Sequence, residues 1–318
     1  MQYRPLGRSG LMVSPLCLGG NVFGWTADEA TSFSLLDAWI DAGFNFVDTA
    51  DVYSRWVPGH TGGESESVIG RWLGGRPSMR DKVVIATKVG MDMGEGRIGL
   101  APARIREAVE ASLRRLNVER IDLYQAHTDD AATPLEATLE AFAKLIDEGK
   151  VRAIGASNYT AERLAQALAV SARLGLPRYE SLQPLYNLHD RAAFEGALQP
   201  LCLKEEIGVI GYYALAAGFL SGKYRSEEDA LKSPRGKRIV STYLDRRGLA
   251  ILSALDEAAA RTGATPASVA LAWVMTRPGV TSPIASATSL AQLGELREAA
   301  SLVLDAQTTA LLDAASAG

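Results

Sequence analysis

Cysteine is nearly absent: Cys17 and Cys202 are the only two in 318 residues. Two cysteines cannot build a disulfide framework, and both stand in apolar stretches, so buried thiols in a reducing compartment are expected. Histidine is scarcer than any metal centre would want, with three in the chain and no His/Cys ligand spacing, so no metal site is expected. No long basic run occurs and the net charge is −4, which removes the electrostatic case for nucleic acid. No stretch approaches the ~18 apolar residues of a membrane span. The start, Met1-Gln2-Tyr3-Arg4-Pro5, lacks the charged-then-apolar pattern of a signal peptide. These absences describe a cytoplasmic globular protein with neither a membrane nor a nucleic-acid partner.

What is present is alternation. Short β-branched runs cover 15–20, 44–49, 83–89, 121–127, 153–157, 181–185, 208–213 and 281–285. Helical patterns lie between them at 27–42, 65–73, 103–116, 135–148, 161–174, 191–206 and 266–277. In 103–116, Ile105, Val109, Leu113 and Leu116 recur at three- and four-residue steps, a stripe suited to packing on a sheet. Eight strands with intervening helices, and no linker or composition shift, predict an α/β fold: one (β/α)8 TIM barrel spanning 1–318. A doubly wound open sheet is the rival. It usually carries Gly-x-Gly-x-x-Gly opening a helix after its first strand. Here the first strand runs into Gly19-Gly20-Asn21-Val22-Phe23-Gly24, a loose match that opens no helix.

Three segments depart from the alternation. Gly7-Arg8-Ser9-Gly10 between short runs predicts an N-terminal β-hairpin closing the barrel floor. Residues 222–247 read as a polar, basic, structureless insertion with Arg235 and Arg238 among its cations, and such insertions are functional or mobile. Residues 289–315 read as two further helices around Asp305.

In such a barrel the strand C-termini build the active site. Asp48, Lys88 and His127 end the second, third and fourth runs, and Tyr53 follows Asp48 by five residues. A phenol has a reference pKa of about 10, so it keeps its proton at neutral pH and needs help to release it. A nearby ammonium stabilises phenolate, a carboxylate holds that ammonium charged, and an imidazole can orient a carbonyl. Taken together the four can protonate a carbonyl oxygen. Taken singly, each has a bland reading as a solvated charge, a cap or a core histidine.

The motifs around them carry a resemblance. Asp48-Thr49-Ala50-Asp51-Val52-Tyr53, then Gly63-Glu64-Ser65-Glu66, Ile85-Ala86-Thr87-Lys88, Asp122-Leu123-Tyr124-Gln125-Ala126-His127 and Gly149-Lys150-Val151-Arg152-Ala153-Ile154-Gly155-Ala156-Ser157-Asn158 look like the signature of the aldo-keto reductase superfamily. The branch it resembles most holds the potassium-channel β subunits and bacterial reductases. The resemblance implies that Tyr53 is the general acid, Lys88 lowers its pKa, Asp48 pairs with Lys88 and His127 positions the carbonyl. It also implies a nicotinamide dinucleotide, normally NADPH, bound without a Gly-x-Gly-x-x-Gly loop.

Cofactor contacts follow by position. Ser157, Asn158 and Gln183 suit a carboxamide, and Tyr212 stands where the family stacks an aromatic ring on the nicotinamide. Leu215, Gly218, Leu220, Gly222 and Lys223 resemble the pyrophosphate loop. Ser286, Thr288 and Gln292 match the adenosine segment. Where relatives carry a cation for the 2′-phosphate this chain has Ser289, so Arg235 or Arg238 could supply that charge instead. Trp25, Trp56 and Tyr124 are candidates for an aromatic substrate pocket, with core or loop packing the alternative for each. The expected activity is NADP-dependent reduction of an aldehyde or ketone to an alcohol. The alternatives are a redox-sensing NADP-binding regulatory subunit with slow turnover, and an NAD-dependent sugar or polyol dehydrogenase.

Overall fold

The structure is a computed structural model describing residues 1–317. Ten strands appear in chain order: β1 (Arg4–Pro5), β2 (Met12–Val13), β3 (Cys17–Gly19), β4 (Phe46–Asp48), β5 (Val84–Val89), β6 (Ile121–Ala126), β7 (Val151–Ser157), β8 (Tyr179–Gln183), β9 (Gly208–Val209) and β10 (Ile284–Ala285). The helices are α1 (Glu29–Asp41), α2 (Glu64–Gly74), α3 (Pro102–Leu116), α4 (Leu135–Asp147), α5 (Ala161–Leu174), α6 (Gln199–Glu205), α7 (Gly236–Tyr243), α8 (Arg246–Thr262), α9 (Pro266–Met275), α10 (Leu290–Ala299) and α11 (Ala306–Ser316). Strands β3 to β10 form one parallel sheet in the order β10-β3-β4-β5-β6-β7-β8-β9. The sheet curls: the amides of Thr281 and Ser282 donate to the Val209 carbonyl, and that of Ile284 to Gly211. This α/β architecture is consistent with a (β/α)8 barrel.

Strand parity sorts the side chains into two cores. Cys17, Phe46, Ala86, Leu123, Ala153, Ile210 and Ile284 form a small cluster with Leu6, Leu11 and Val13 of the N-terminal segment. Val47, Ile85, Tyr124, Ala126, Ile154 and Ala156 belong instead to the larger cluster shared with the helices. Successive residues of a strand face opposite sides, so the first set faces inward and the second faces the helices. β1 and β2 pair antiparallel, as the hairpin reading requires. Gly7 is left-handed (φ 55°), and a Cβ there would lie 2.2 Å from the Glu180 carbonyl oxygen, so the turn docks at the start of β8 only without a side chain.

Side-chain caps explain most helix starts. Asp28, Thr160, Asp245, Thr265, Ser289 and Asp305 each accept an amide of the first turn. The helix expected over 191–206 is broken: a π-turn over Phe194–Leu198 precedes α6. Pro200 stands just past the break and cannot donate to the turn before it. The reading of 222–247 as structureless is corrected. The segment holds a short 3-10 turn over Glu227–Leu231, all of α7 and the first residues of α8, which Asp245 caps. Its charges hid the buried Ile239 and Tyr243, four residues apart on one face of α7.

Candidate active site

Asp48 ends β4 and Lys88 lies near the end of β5, both on the inward parity, and both are buried. An ammonium without solvent contact is costly unless fully partnered. Lys88 Nζ donates to Asp48 Oδ2 at 2.6 Å, to the Thr49 carbonyl at 2.8 Å and to the Tyr53 hydroxyl at 3.1 Å. Burial works to lower the Lys88 pKa, but Asp48 and Tyr53 outweigh it and the ammonium is held charged.

The other Asp48 oxygen is engaged too. Oδ1 accepts from Gln183 Nε2 at 2.9 Å and from Gln125 Nε2 at 3.3 Å. Gln125 shares the inward parity of His127 and forms part of the site that the sequence reading passed over. Counting back two residues along the strand from His127 would have found it.

Tyr53 is carried by the turn after β4, where its amide donates to the Ala50 carbonyl and its own carbonyl accepts the Gly63 amide. Behind that turn the buried Asp51 pairs with Arg104 at 3.0 Å. Burial, then Glu66, pushes the Asp51 pKa up to about 7. The Tyr53 phenol is pushed up to about 12 by burial; Lys88 pulls down and Asp48 pushes up. Tyr53 therefore holds its proton across the neutral range. The His127 ring centroid lies 6.0 Å from that of Tyr53. Burial first, and then Lys88, hold the imidazole well below its usual pKa, so it is neutral at pH 7. Its Nδ1 has no partner among the described residues.

The residues expected to hold a cofactor adjoin this centre. Ser157 Oγ donates to the Gln183 carbonyl at 2.9 Å. Asn158 is left-handed (φ 57°), and its amide donates to the His127 carbonyl at 2.9 Å. Its Oδ1 accepts the Tyr212 hydroxyl at 2.9 Å, so three rim loops are joined in one chain. Gln183 spends its donor on Asp48, leaving its oxygen for other use.

Beyond Tyr212, residues Tyr213, Ala216, Ala217 and Gly218 all have positive φ, of 54°, 47°, 56° and 101°. The turn closes on itself, with the Gly218 and Leu220 amides donating to the Leu215 carbonyl and that of Gly222 to Phe219. Leu220 is corrected as a cofactor contact: it is fully buried and its amide is already bonded to the Leu215 carbonyl. The Lys223 ammonium lies 5.1 Å from the Tyr224 ring centroid and has no ion pair among the described residues. Ser286 Oγ donates to Asn21 Oδ1 at 2.6 Å, while Thr288 donates to Gln292 through amide and hydroxyl. Arg238 is exposed on α7, and Arg235, just before that helix, places its guanidinium 5.6 Å from the Trp25 ring.

Of the three pocket aromatics, the structure brings two to the site. Trp25 meets Trp56 edge-on at 5.6 Å between centroids, and Trp56 meets Tyr53 edge-on at 5.7 Å. Tyr124 is corrected. It has the outward parity, packs edge-on to Phe142 of α4 and is fully buried away from the rim. One residue of register separates it from Gln125, and that step turns a strand side chain to the other face.

A buried Lys–Asp pair is thus set against a tyrosine, with a neutral histidine facing it. The family model described as "Aldo/keto reductase family" matches residues 15–317. The chain belongs to the aldo/keto reductase family. Membership places it among oxidoreductases. This aldo/keto reductase is 36% identical over 321 residues to the "Uncharacterized oxidoreductase YrpG" of Bacillus subtilis, covering 98% of this chain and 95% of that one. It is 33% identical to a "Probable voltage-gated potassium channel subunit beta" of Oryza sativa subsp. japonica, over 95% and 92% of the two chains. It is also 33% identical to "Protein tas" of Escherichia coli, over 99% and 97%. Among the described residues no helix is long and apolar enough to cross a membrane, and no His/Cys/Asp/Glu group is placed to hold a metal.

Proposed function

We propose that this protein reduces an aldehyde or ketone to an alcohol with NADPH, and that Tyr53 is the general acid. The observation that carries this reading is the contact of the Tyr53 hydroxyl with the buried Lys88 ammonium, itself locked to Asp48. The residues fit a nicotinamide dinucleotide. Ser157, Asn158 and Tyr212 offer hydroxyl, amide and ring beside His127, and the left-handed turn after Tyr212 leaves the small residues Ala217 and Gly218 partly exposed, where a ligand can approach the backbone. Lys223, Arg235 and Arg238 are cations without ion pairs among the described residues. The bound dinucleotide supplies the hydride. Tyr53 gives its proton to the carbonyl oxygen, Lys88 stabilises the phenolate left behind, and Asp48 keeps Lys88 charged and in place. The neutral His127 orients the carbonyl. Trp25 and Trp56 form one wall of the substrate entrance. We take the curled sheet as a closed barrel whose floor the hairpin fills, so that substrate enters only at this rim.

An NADPH-consumption screen over aldehydes, ketones and sugars, with NADH in parallel, tests the proposal. Turnover of at least one carbonyl class supports it. Absence of turnover with all of them, together with absence of NADPH binding, contradicts it. The likeness to potassium-channel β subunits over nearly the whole chain supports a second reading, a redox-sensing regulatory subunit. Turnover with 4-nitrobenzaldehyde slower than release of the oxidised dinucleotide would favour that one.

A further inference from the structure

The left-handed turn after Tyr212 raises the question of what holds it. Tyr213, Ala216 and Ala217 all carry a Cβ and all have φ near +50°. Residues with a Cβ persist in that region only where surrounding contacts over-determine the backbone. The contacts converge on Asp190, in the loop after β8. Asp190 Oδ2 accepts from Asn187 Nδ2 and from the Tyr243 hydroxyl, each at 3.0 Å. The same Asn187 amide group donates to the Tyr213 carbonyl at 3.0 Å, at the start of the strained turn. Asn187 is itself fully buried, and its oxygen takes the amides of His189 and Asp190 at 2.8 Å each.

Tyr243 is the last residue of α7. Its ring stacks on Phe219 from within the turn, at 5.7 Å and 27°, and takes the His189 ring edge-on at 5.0 Å. His189 Nδ1 lies 3.4 Å from the other Asp190 oxygen. One carboxylate thus ties together the loop after β8, the turn after Tyr212 and the helix bearing Arg238.

We propose that Asp190 is a positioning residue for cofactor binding: through Asn187 and Tyr243 it clamps the left-handed turn and α7 against the rim. This rests on the nicotinamide reading above. The clamp touches neither Tyr53 nor Lys88, so its loss acts on affinity rather than on proton transfer. Asp190→Ala removes the shared acceptor. Asp190→Asn keeps an oxygen able to accept from both Asn187 and Tyr243.

The test is NADPH titration by fluorescence on the wild type and both variants, with kcat measured at saturating NADPH and 4-nitrobenzaldehyde, and thermal unfolding alongside. Asp190→Ala is expected to raise the NADPH Kd about 10-fold or more, as loss of bonds to a charged group does. Saturated kcat stays at the wild-type level, and Asp190→Asn recovers most of the affinity. An unchanged Kd in Asp190→Ala overturns the proposal. So does a kcat loss without a Kd change, or an Asp190→Asn variant as weak as alanine. Should Asp190→Ala fail to unfold cooperatively, Tyr243→Phe decides by the same Kd comparison, having lost one hydroxyl. A wild type that binds no NADPH overturns the cofactor reading itself, which the wild-type titration shows without any variant.

Discussion

The Lys88 ammonium lies 3.1 Å from the Tyr53 hydroxyl and is fully buried, so its charge is aimed at the phenol rather than dissipated in water. Asp48, on its far side, keeps it protonated. Replacing Lys88 by Met removes the one contact that pulls the Tyr53 pKa strongly downward. The Lys88→Met variant is expected to lose about 100-fold or more in kcat. Spectroscopic titration of the phenol should show Tyr53 ionising at higher pH than in the wild type. A phenol titrating where it does in the wild type would show that Lys88 does not act on it.

His127 makes a prediction about pH and stability. Its folded pKa is depressed below the unfolded value of 6.5, so the unfolded chain binds the proton more readily. The stability it contributes is present above pH 6.5 and is lost as pH falls, at a limiting rate of about 1.4 kcal/mol per pH unit. His127→Gln should flatten the decline in unfolding free energy between pH 6.5 and 5. Parallel declines in the two proteins would place the acid sensitivity elsewhere.

Tyr124 tests the assignment of strand faces. Its hydroxyl is buried without a hydrogen-bond partner among the described residues. Tyr124→Phe therefore removes an unpaid polar burial and should leave stability equal or higher, within about 1 kcal/mol, with substrate KM unchanged. A raised KM for the carbonyl would return Tyr124 to the pocket.

On the proposed NADPH reading, the charge opposite the 2′-phosphate would come from Arg235 or Arg238. Alanine at the residue that holds it should raise the NADPH KM about 10-fold while moving the NADH KM little. Steady-state kinetics with both dinucleotides decides it. Equal, small effects in both variants would remove the two arginines from cofactor selection.

Much of the fold was legible because apolar period carries it. The runs carrying Asp48, Lys88 and His127 became β4, β5 and β6, with His127 one residue past the last, and the stripe Ile105–Leu116 became the inner face of α3. What was missed has particular causes. Residues 246–262 were not read as a helix because Arg246-Arg247-Gly248 disguised its first turn, although Asp245 is a proper cap. Tyr124 lies near a strand end, but its odd step from His127 turns it to the helix side of the sheet. Gln125, an even step from His127, shares its inward face. Its contact with Asp48 spans 77 residues of sequence, and no local pattern encodes that meeting. The same holds for the clamp of Asp190, whose partners Tyr213 and Tyr243 lie on other segments.

The most direct test of the central claim is Tyr53→Phe, which removes the proposed acid and keeps the ring. NADPH binding should remain at the wild-type Kd, while kcat for carbonyl reduction falls by about 100-fold or more. Wild-type turnover in that variant would contradict the account.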